Sequence, residues 1–159
     1  MRVAVIGINY HPETTGIEPF NTGLCEYLSQ RHEVEMISTF TYYPEWRKLP
    51  EEAGLLFRTD QIKEGKVHRA WHYVPPIASA IKRMLHELTF IGSSVLKALF
   101  SNEPDVYVVV SPPLLSGLAI SFIAKLKGLP VLFHIQDLQP DAAVWLGMLI
   151  QEWLIKKFY

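Results

Sequence analysis

The run RVAVIGI, Arg2 to Ile8, is apolar and β-branched without alternation. A strand with one wet face alternates polar and apolar residues, whereas an unbroken run buries both faces. Such a strand belongs to a parallel sheet with helices above and below it, so the rest of the chain must supply those layers. EVEMIST (Glu33 to Thr39), KVHRAWHYV (Lys66 to Val74), DVYVVV (Asp105 to Val110) and PVLFHI (Pro130 to Ile135) read as four further strands. Helical periodicity fills the gaps. From Pro19 to Gln30 the residues Phe20, Leu24, Tyr27 and Leu28 share one face, expected to point inward. From Ile77 to Phe100 the stripe is Ile81, Met84, Leu85, Leu88, Ile91, Val95 and Leu99. LLSGLAISFIAKLKG ends on Gly128 as a C-terminal cap, and PDAAVWLGML and IQEWLIKKFY read as helical to the end. The alternation predicts an α/β fold: a Rossmann-like, doubly wound parallel sheet with right-handed crossovers and strand order 3-2-1-4-5.

The totals exclude several classes. The 159 residues make one domain, residues 1–159, with 49% apolar side chains to fill a core. Fifteen basic residues stand against sixteen acidic ones, which argues against nucleic acid as a partner. Cys25 is the lone cysteine, so neither a disulfide framework nor a cysteine zinc cluster exists, and a reducing, cytoplasmic setting is expected. Its place in the first helix reads as a small buried hydrophobe rather than a nucleophile. The start MRVAVIGINYHP lacks the longer apolar core and cleavage site of a signal peptide. No apolar span reaches the roughly 20 residues of a membrane helix.

Ligands of such sheets sit beyond the strand carboxyl ends, where three loops should gather: GINYHPETTGIEPF, SPPLLSG and QDLQPD. Gly7 and Gly16 are too far apart for G-x-G-x-x-G, the second strand ends in Ser38 and Thr39 rather than an acid, and no phosphate-loop motif is present. NAD binding is therefore not expected. The first loop still feeds a helix N-terminus, which favours an anion. Gly16 either lets the backbone approach a phosphate or sugar or serves a structural turn. His134, at the end of the fifth strand, either faces the ligand edge or is a satisfied core histidine. Asp137 and Asp141 follow it, and Asp141 alternatively caps the next helix. Ser111 either donates to a ligand or caps a turn. No set of residues stands at metal-ligand spacing, so no metal is expected. Phe40 to Gly65 is long for a loop. It reads as a surface excursion with a helical turn around LPEEAGLLF, weakly ordered from Lys48 to Lys66 and anchored by Tyr42, Tyr43 and Trp46; a binding loop is the alternative. The helix from Ile77, with Lys82, Arg83, His86 and Lys97, suits a membrane surface as well as a core. The core reading is preferred because the sheet needs covering.

The opening loop, YYPEW, and VSPPLLSGLAISFIAKLKGLPVLFHIQDLQPDAAVWLGML resemble the N-terminal half of family 4 retaining glycosyltransferases. The likeness is to exopolysaccharide enzymes of the colanic-acid type, a group described as fucosyltransferases. It implies one half of a GT-B fold, the acceptor-side domain of a hexosyltransferase using a nucleotide-sugar donor and a glycan or lipid-linked acceptor. By this resemblance the glycine-rich loop reaches the donor phosphates or transferred sugar. Gly16 matches its key glycine, and Thr15 stands where many members have a second one. His134 matches the histidine whose side chain or carbonyl lies beside the transferred sugar, and Asp137 and Asp141 match the residues after it. The resemblance implies no metal and no cofactor beyond the donor, and a cytoplasmic protein, peripheral at the inner face of the membrane. It also implies that the donor-binding domain is absent here, so the expectation is a domain incomplete at its C-terminus and inactive alone. The alternative is a non-catalytic Rossmann-like module that binds a nucleotide or anion.

Overall fold

A computed structural model describes residues 1–77 and 79–136. β1 (Arg2–Ile6) leads to α1 (Glu18–Ser29) and β2 (Glu33–Thr39). A hairpin follows, β3 (Phe57–Ile62) and β4 (Gly65–Ala70), then α2 (Ala80–Phe100), β5 (Val106–Ser111), α3 (Leu114–Lys127) and β6 (Val131–Ile135). The sheet order is β3-β4-β2-β1-β5-β6. Its five parallel strands stand in the order that the alternation predicts.

The unbroken apolar runs bury both faces as expected. Ala4, Ile6, Tyr107 and Val109 point to the face packed by Phe90 and Ala98 of α2 and Ile120 and Ala124 of α3. Val3, Val5, Val108 and Val110 point to the other, where Cys25, Leu24 and Leu28 of α1 cover them. Gly128 has φ +68°, and the amides of Gly128 and Leu129 return to the carbonyls of Lys125 and Ala124, so the predicted cap is present.

Three expectations change. The stretch Lys48 to Lys66 is not a loose excursion: it holds β3, paired antiparallel with β4 along its whole length. Arg58 pairs with Asp60 and with Glu52, whose carboxylate is buried, so the charges that suggested a solvated loop neutralise one another. α1 turns only half of its predicted stripe inward, Leu24 and Leu28. Phe20 and Tyr27 are exposed, and Glu18, Asn21 and Cys25 are buried instead. The helix is rotated because Asn21 must reach the first loop. α2 is also rotated, burying His86, Phe90, Ile91, Ser93, Ser94 and Ala98, with Ile81, Met84, Leu85 and Leu88 left in solvent. Its start is three residues later than expected, after Pro75 and Pro76, where the Ser79 hydroxyl accepts from the Lys82 amide at 3.4 Å. The two C-terminal helical readings, with Asp137 and Asp141, lie outside the described residues.

Candidate functional site at the carboxyl edge of the sheet

β1, β2, β4, β5 and β6 all run the same way, so their carboxyl ends share one edge. The loop from Gly7 to Ile17 crosses that edge and is tied down from several sides. Gly7 is required by contact: a Cβ there would lie 2.9 Å from Asn21 Nδ2. Asn21, fully buried, donates to the Asn9 carbonyl at 2.7 Å. The Ile8 carbonyl accepts from the hydroxyls of Ser38 and Thr39 at the end of β2.

Glu13 is the centre of this arrangement. One carboxylate oxygen accepts from the backbone amides of Tyr42 and Tyr43 at 2.8 and 2.9 Å, and the other accepts from Asn9 Nδ2 at 2.6 Å. Burial pushes the Glu13 carboxyl up, against the three donors and the nearby Arg69 charge, which favour the carboxylate. Arg69, buried in β4, donates to the carbonyls of His11 and Thr39 and to the Asp60 carboxylate. Burial pushes its guanidinium pKa down, opposed first by Asp60. Burial also pushes Asp60 up, but the hydrogen bonds and charges of Arg58 and Arg69 outweigh it and hold the carboxyl low. The loops after β1 and β2 and the β3–β4 hairpin thus form one polar unit. Neither Glu13 nor Arg69 stood out in the sequence reading. The available signal was an arginine inside the apolar run KVHRAW, where an unpaired charge would be costly.

This unit presents Thr15 and Gly16 to solvent. Gly16 has φ +72°, and the Tyr43 ring lies 3.5 Å from where a side chain would begin. The left-handed backbone is what favours glycine there, since the ring stands at ordinary contact distance. Ser111 is fully buried at the last position of β5, opposite Ile135 of β6. His134 stands opposite Val110 on the α1 side of the sheet, half-buried. With Gln136, and with Phe20 and Leu24 of α1, it lines an open cavity of about 460 Å³. Gly16 lies against Tyr43 of the loop after β2 and His134 beside Phe20 and Leu24 of α1, both at the carboxyl edge.

YYPEW builds a second cavity at this edge. Tyr42 is buried, its ring 4.9 Å from that of His72 and 4.7 Å from that of His86. His86 Nδ1 lies 2.6 Å from the Tyr73 carbonyl and Nε2 lies 3.1 Å from the Tyr42 hydroxyl. A neutral ring protonated on Nδ1 satisfies both, donating to the carbonyl and accepting from the phenol. Trp46 has φ +52°, a conformation costing a bulky residue about 1–2 kcal/mol, which its contacts with Tyr42 and His86 maintain. Trp46, Arg47, Lys48, Trp71 and Tyr73 line a cavity of about 340 Å³. Lys48 Nζ sits 4.7 Å from the centre of the Trp71 ring, and burial lowers its pKa. Such walls can stack on a sugar ring and attract an anion. Cys25 is no nucleophile: it is fully buried and burial pushes its thiol up to about 12. No group of three or more metal-ligating side chains occurs among the described residues.

The histidines make stability depend on pH. Burial lowers the pKa of His68 and His86, and of His72 furthest. The folded state keeps them neutral while the unfolded chain takes up protons near about pH 6.5. Their contribution is therefore fully present above that value and is lost as the pH falls toward the depressed folded values. Glu13 and Glu52, pushed up by burial, act in the opposite sense. As the pH falls through their raised folded values they recover stability down to about 4.3, where unfolded glutamates titrate, but two glutamates offset only part of what three histidines lose. The melting temperature is expected to fall between about pH 7.5 and pH 5.5, with a smaller fall in His72→Phe. A flat or rising profile would contradict the neutral cluster.

An open, mostly parallel α/β sheet with its polar loops gathered beyond the strand carboxyl ends defines a Rossmann-like domain. Over 151 residues the chain is 34% identical to a glycosyl transferase of colanic acid biosynthesis, WcaI of Escherichia coli (strain K12). The match covers 93% of this chain and 37% of WcaI, so the chain spans little more than a third of that relative's length. The likeness first carried by the opening loop, YYPEW and QDLQPDAA thus extends over nearly the whole chain, which is a relative of a colanic-acid glycosyltransferase. No protein-family model matches the chain.

Proposed function

We propose that this domain forms the acceptor side of a retaining, metal-independent glycosyltransferase of exopolysaccharide assembly. The whole enzyme would move a sugar from a nucleotide-sugar to a growing polysaccharide or a lipid-linked acceptor. The observation that carries the reading is the 34% identity to WcaI over nearly all of this chain. Its support in the geometry is the buried Glu13–Arg69 unit, which holds Gly16 exposed at the carboxyl edge. In this reading Thr15 and Gly16 meet the donor phosphates or the transferred sugar. His134 stabilises oxocarbenium-like charge with its ring or carbonyl. Ser111, Asp137 and Asp141 complete the contacts from the neighbouring strand ends. The cavity of Trp46, Lys48 and Trp71 takes the acceptor.

Transfer also needs the donor diphosphate held and neutralised, and we assign that to a second domain outside these 159 residues. The 159-residue chain should then bind a nucleotide-sugar only at roughly millimolar concentration, worth ~4 kcal/mol, and transfer nothing. In a chain that includes the donor domain, His134→Ala should lower kcat at least about tenfold with an unchanged melting temperature. Calorimetry and a product assay on both proteins test this. Micromolar donor binding by the 159 residues alone, or normal turnover in His134→Ala, would place the chemistry elsewhere.

A further inference from the structure

The cavity built by YYPEW has walls that can choose among sugars. Two of them are indoles: Trp46, on the loop after β2, and Trp71, the residue that follows β4. Trp46 is half-buried and Trp71 is 38% exposed, so both rings keep surface for a ligand. The volume of about 340 Å³ lies at the lower end of the range of small-molecule sites, about 300–1,000 Å³. A pyranose ring has C–H bonds on its faces and polar groups around its edge. An indole takes such a face, and whatever stands beside the indole reads the edge.

What stands beside these indoles is positive. Arg47 and Lys48 line the cavity, and among the described residues no acidic one does, in a chain whose net charge is −1. The Arg47 amide donates to the Tyr42 carbonyl at 3.2 Å, which fixes the turn that carries both cations. Lys48 Nζ lies 4.7 Å from the centre of the Trp71 ring, so the ammonium is held at a surface on which a sugar would stack. Among the described residues neither Arg47 nor Lys48 makes an ion pair. Glu52 acts on Lys48 through its charge but is engaged with Arg58 at 3.3 Å. Lys48 is half-buried, and burial lowers its pKa, so it lacks both full hydration and a counter-ion. A neutral sugar would desolvate this ammonium further and return only hydroxyl contacts. A sugar with a carboxylate at the ring edge returns the missing charge.

We propose that the Trp46–Trp71 cavity selects an acidic saccharide, a hexuronate residue whose ring face lies on an indole and whose carboxylate meets Lys48 and Arg47. Entry of the ring draws Lys48 Nζ from the face of Trp71 to the carboxylate. A cation–aromatic contact is exchanged for a charge-assisted hydrogen bond, the stronger of the two. This deepens the function proposed above and rests on it for one point only, that the sugar in this cavity is the acceptor. The choice of a uronate over a neutral sugar follows from the walls and cations themselves.

Titration of the 159-residue chain with methyl glucuronide and with methyl glucoside, followed by the indole N–H resonances of Trp46 and Trp71, tests the selection without donor or transfer. The glucuronide is expected to bind at least about fivefold more tightly and to shift both resonances, and the preference should shrink in about 0.5 M salt. Arg47→Gln with Lys48→Gln should bring the ratio of the two affinities to about one, because the charge that reads the edge is gone. Trp71→Ala should weaken both glycosides alike, because the stacking face is gone. Circular dichroism should show both variants folded, since Arg47 and Trp71 are exposed and Lys48 is half-buried. No binding of either glycoside, equal affinity for the two, or a preference that survives the double glutamine variant would overturn the proposal. So would undiminished binding by Trp71→Ala, acetate that binds as tightly as the glucuronide, or glucose phosphate that binds more tightly. The expected preference in this chain, with no transfer to a uronate-ended acceptor by a chain that includes the donor domain, would count only against the proposed function.

Discussion

Gly65→Ala is expected to leave the domain unfolded or at least about 3 kcal/mol less stable. Gly65 opens β4 with φ +143°, a region nearly closed to L-residues, and pairs with Val34 of β2. A methyl group there would overlap the Val34 carbonyl. Both obstacles are backbone, so no side-chain rotation relieves them. The parallel β2–β4 register must then slip or part, and with it goes the position of Arg69 under the first loop. Gly92→Ala serves as the control, because it lies inside α2 with nothing within 4 Å of the added carbon. That change should be neutral or stabilise by about 0.5–1 kcal/mol, since alanine is the better helix former. Urea unfolding measures both. A Gly65→Ala chain within about 1 kcal/mol of the unchanged protein would mean that β4 does not pair as described.

Glu13→Ala is expected to cost about 3 kcal/mol and to free the loop that carries Gly16. The truncation leaves the amides of Tyr42 and Tyr43 and the Asn9 side chain without their acceptor. Each buried orphan donor carries a penalty of about 1–3 kcal/mol, reduced where water enters the space left behind. The nearby charge of Arg69 loses a counter-charge as well. Glu13→Gln should cost less, because one carbonyl oxygen can still accept from both amides, although the amide nitrogen, a donor, requires the Asn9 amide to flip and offer its oxygen. Hydrogen exchange at Tyr42 and Tyr43 distinguishes the two variants: protection should vanish in the first and persist in the second. Persistent protection in Glu13→Ala would show that the carboxylate is not what holds the two loops together.

The parts of the fold legible in the sequence are those set by local periodicity. RVAVIGI and DVYVVV bury both faces because an unbroken apolar strand has no other stable place. The order of the five parallel strands is the one that strand–helix alternation predicts for a doubly wound sheet. Gly128 ends α3 where a left-handed residue was expected. The candidate site was legible only as a location: the loops at the carboxyl edge and, within them, Gly16. Its supports were not. Glu13 is an ordinary polar residue in a polar loop until Tyr42, 29 positions on, offers its amide. Charged residues between Lys48 and Lys66 suggest solvent, yet pairing of Arg58 with Glu52 and Asp60 permits a strand there.

The rotations of α1 and α2 mark the boundary between the two kinds of information. Periodicity determined that both segments are amphipathic helices and where they begin and end to within three residues. Which stripe faces the sheet was decided by tertiary demands that outweigh a few exposed aliphatic side chains. Asn21 must hold the first loop, and His86 must bridge the Tyr73 carbonyl and the Tyr42 hydroxyl. An unsatisfied buried polar group costs about as much as a buried leucine side chain contributes, so satisfying these partners can set a helix's rotation. Sequence alone therefore determined the layers, the order of the five parallel strands and the edge that carries the loops. Only the assembled structure decided the inner face of each helix, because that choice depends on hydrogen-bond partners brought together from distant parts of the chain.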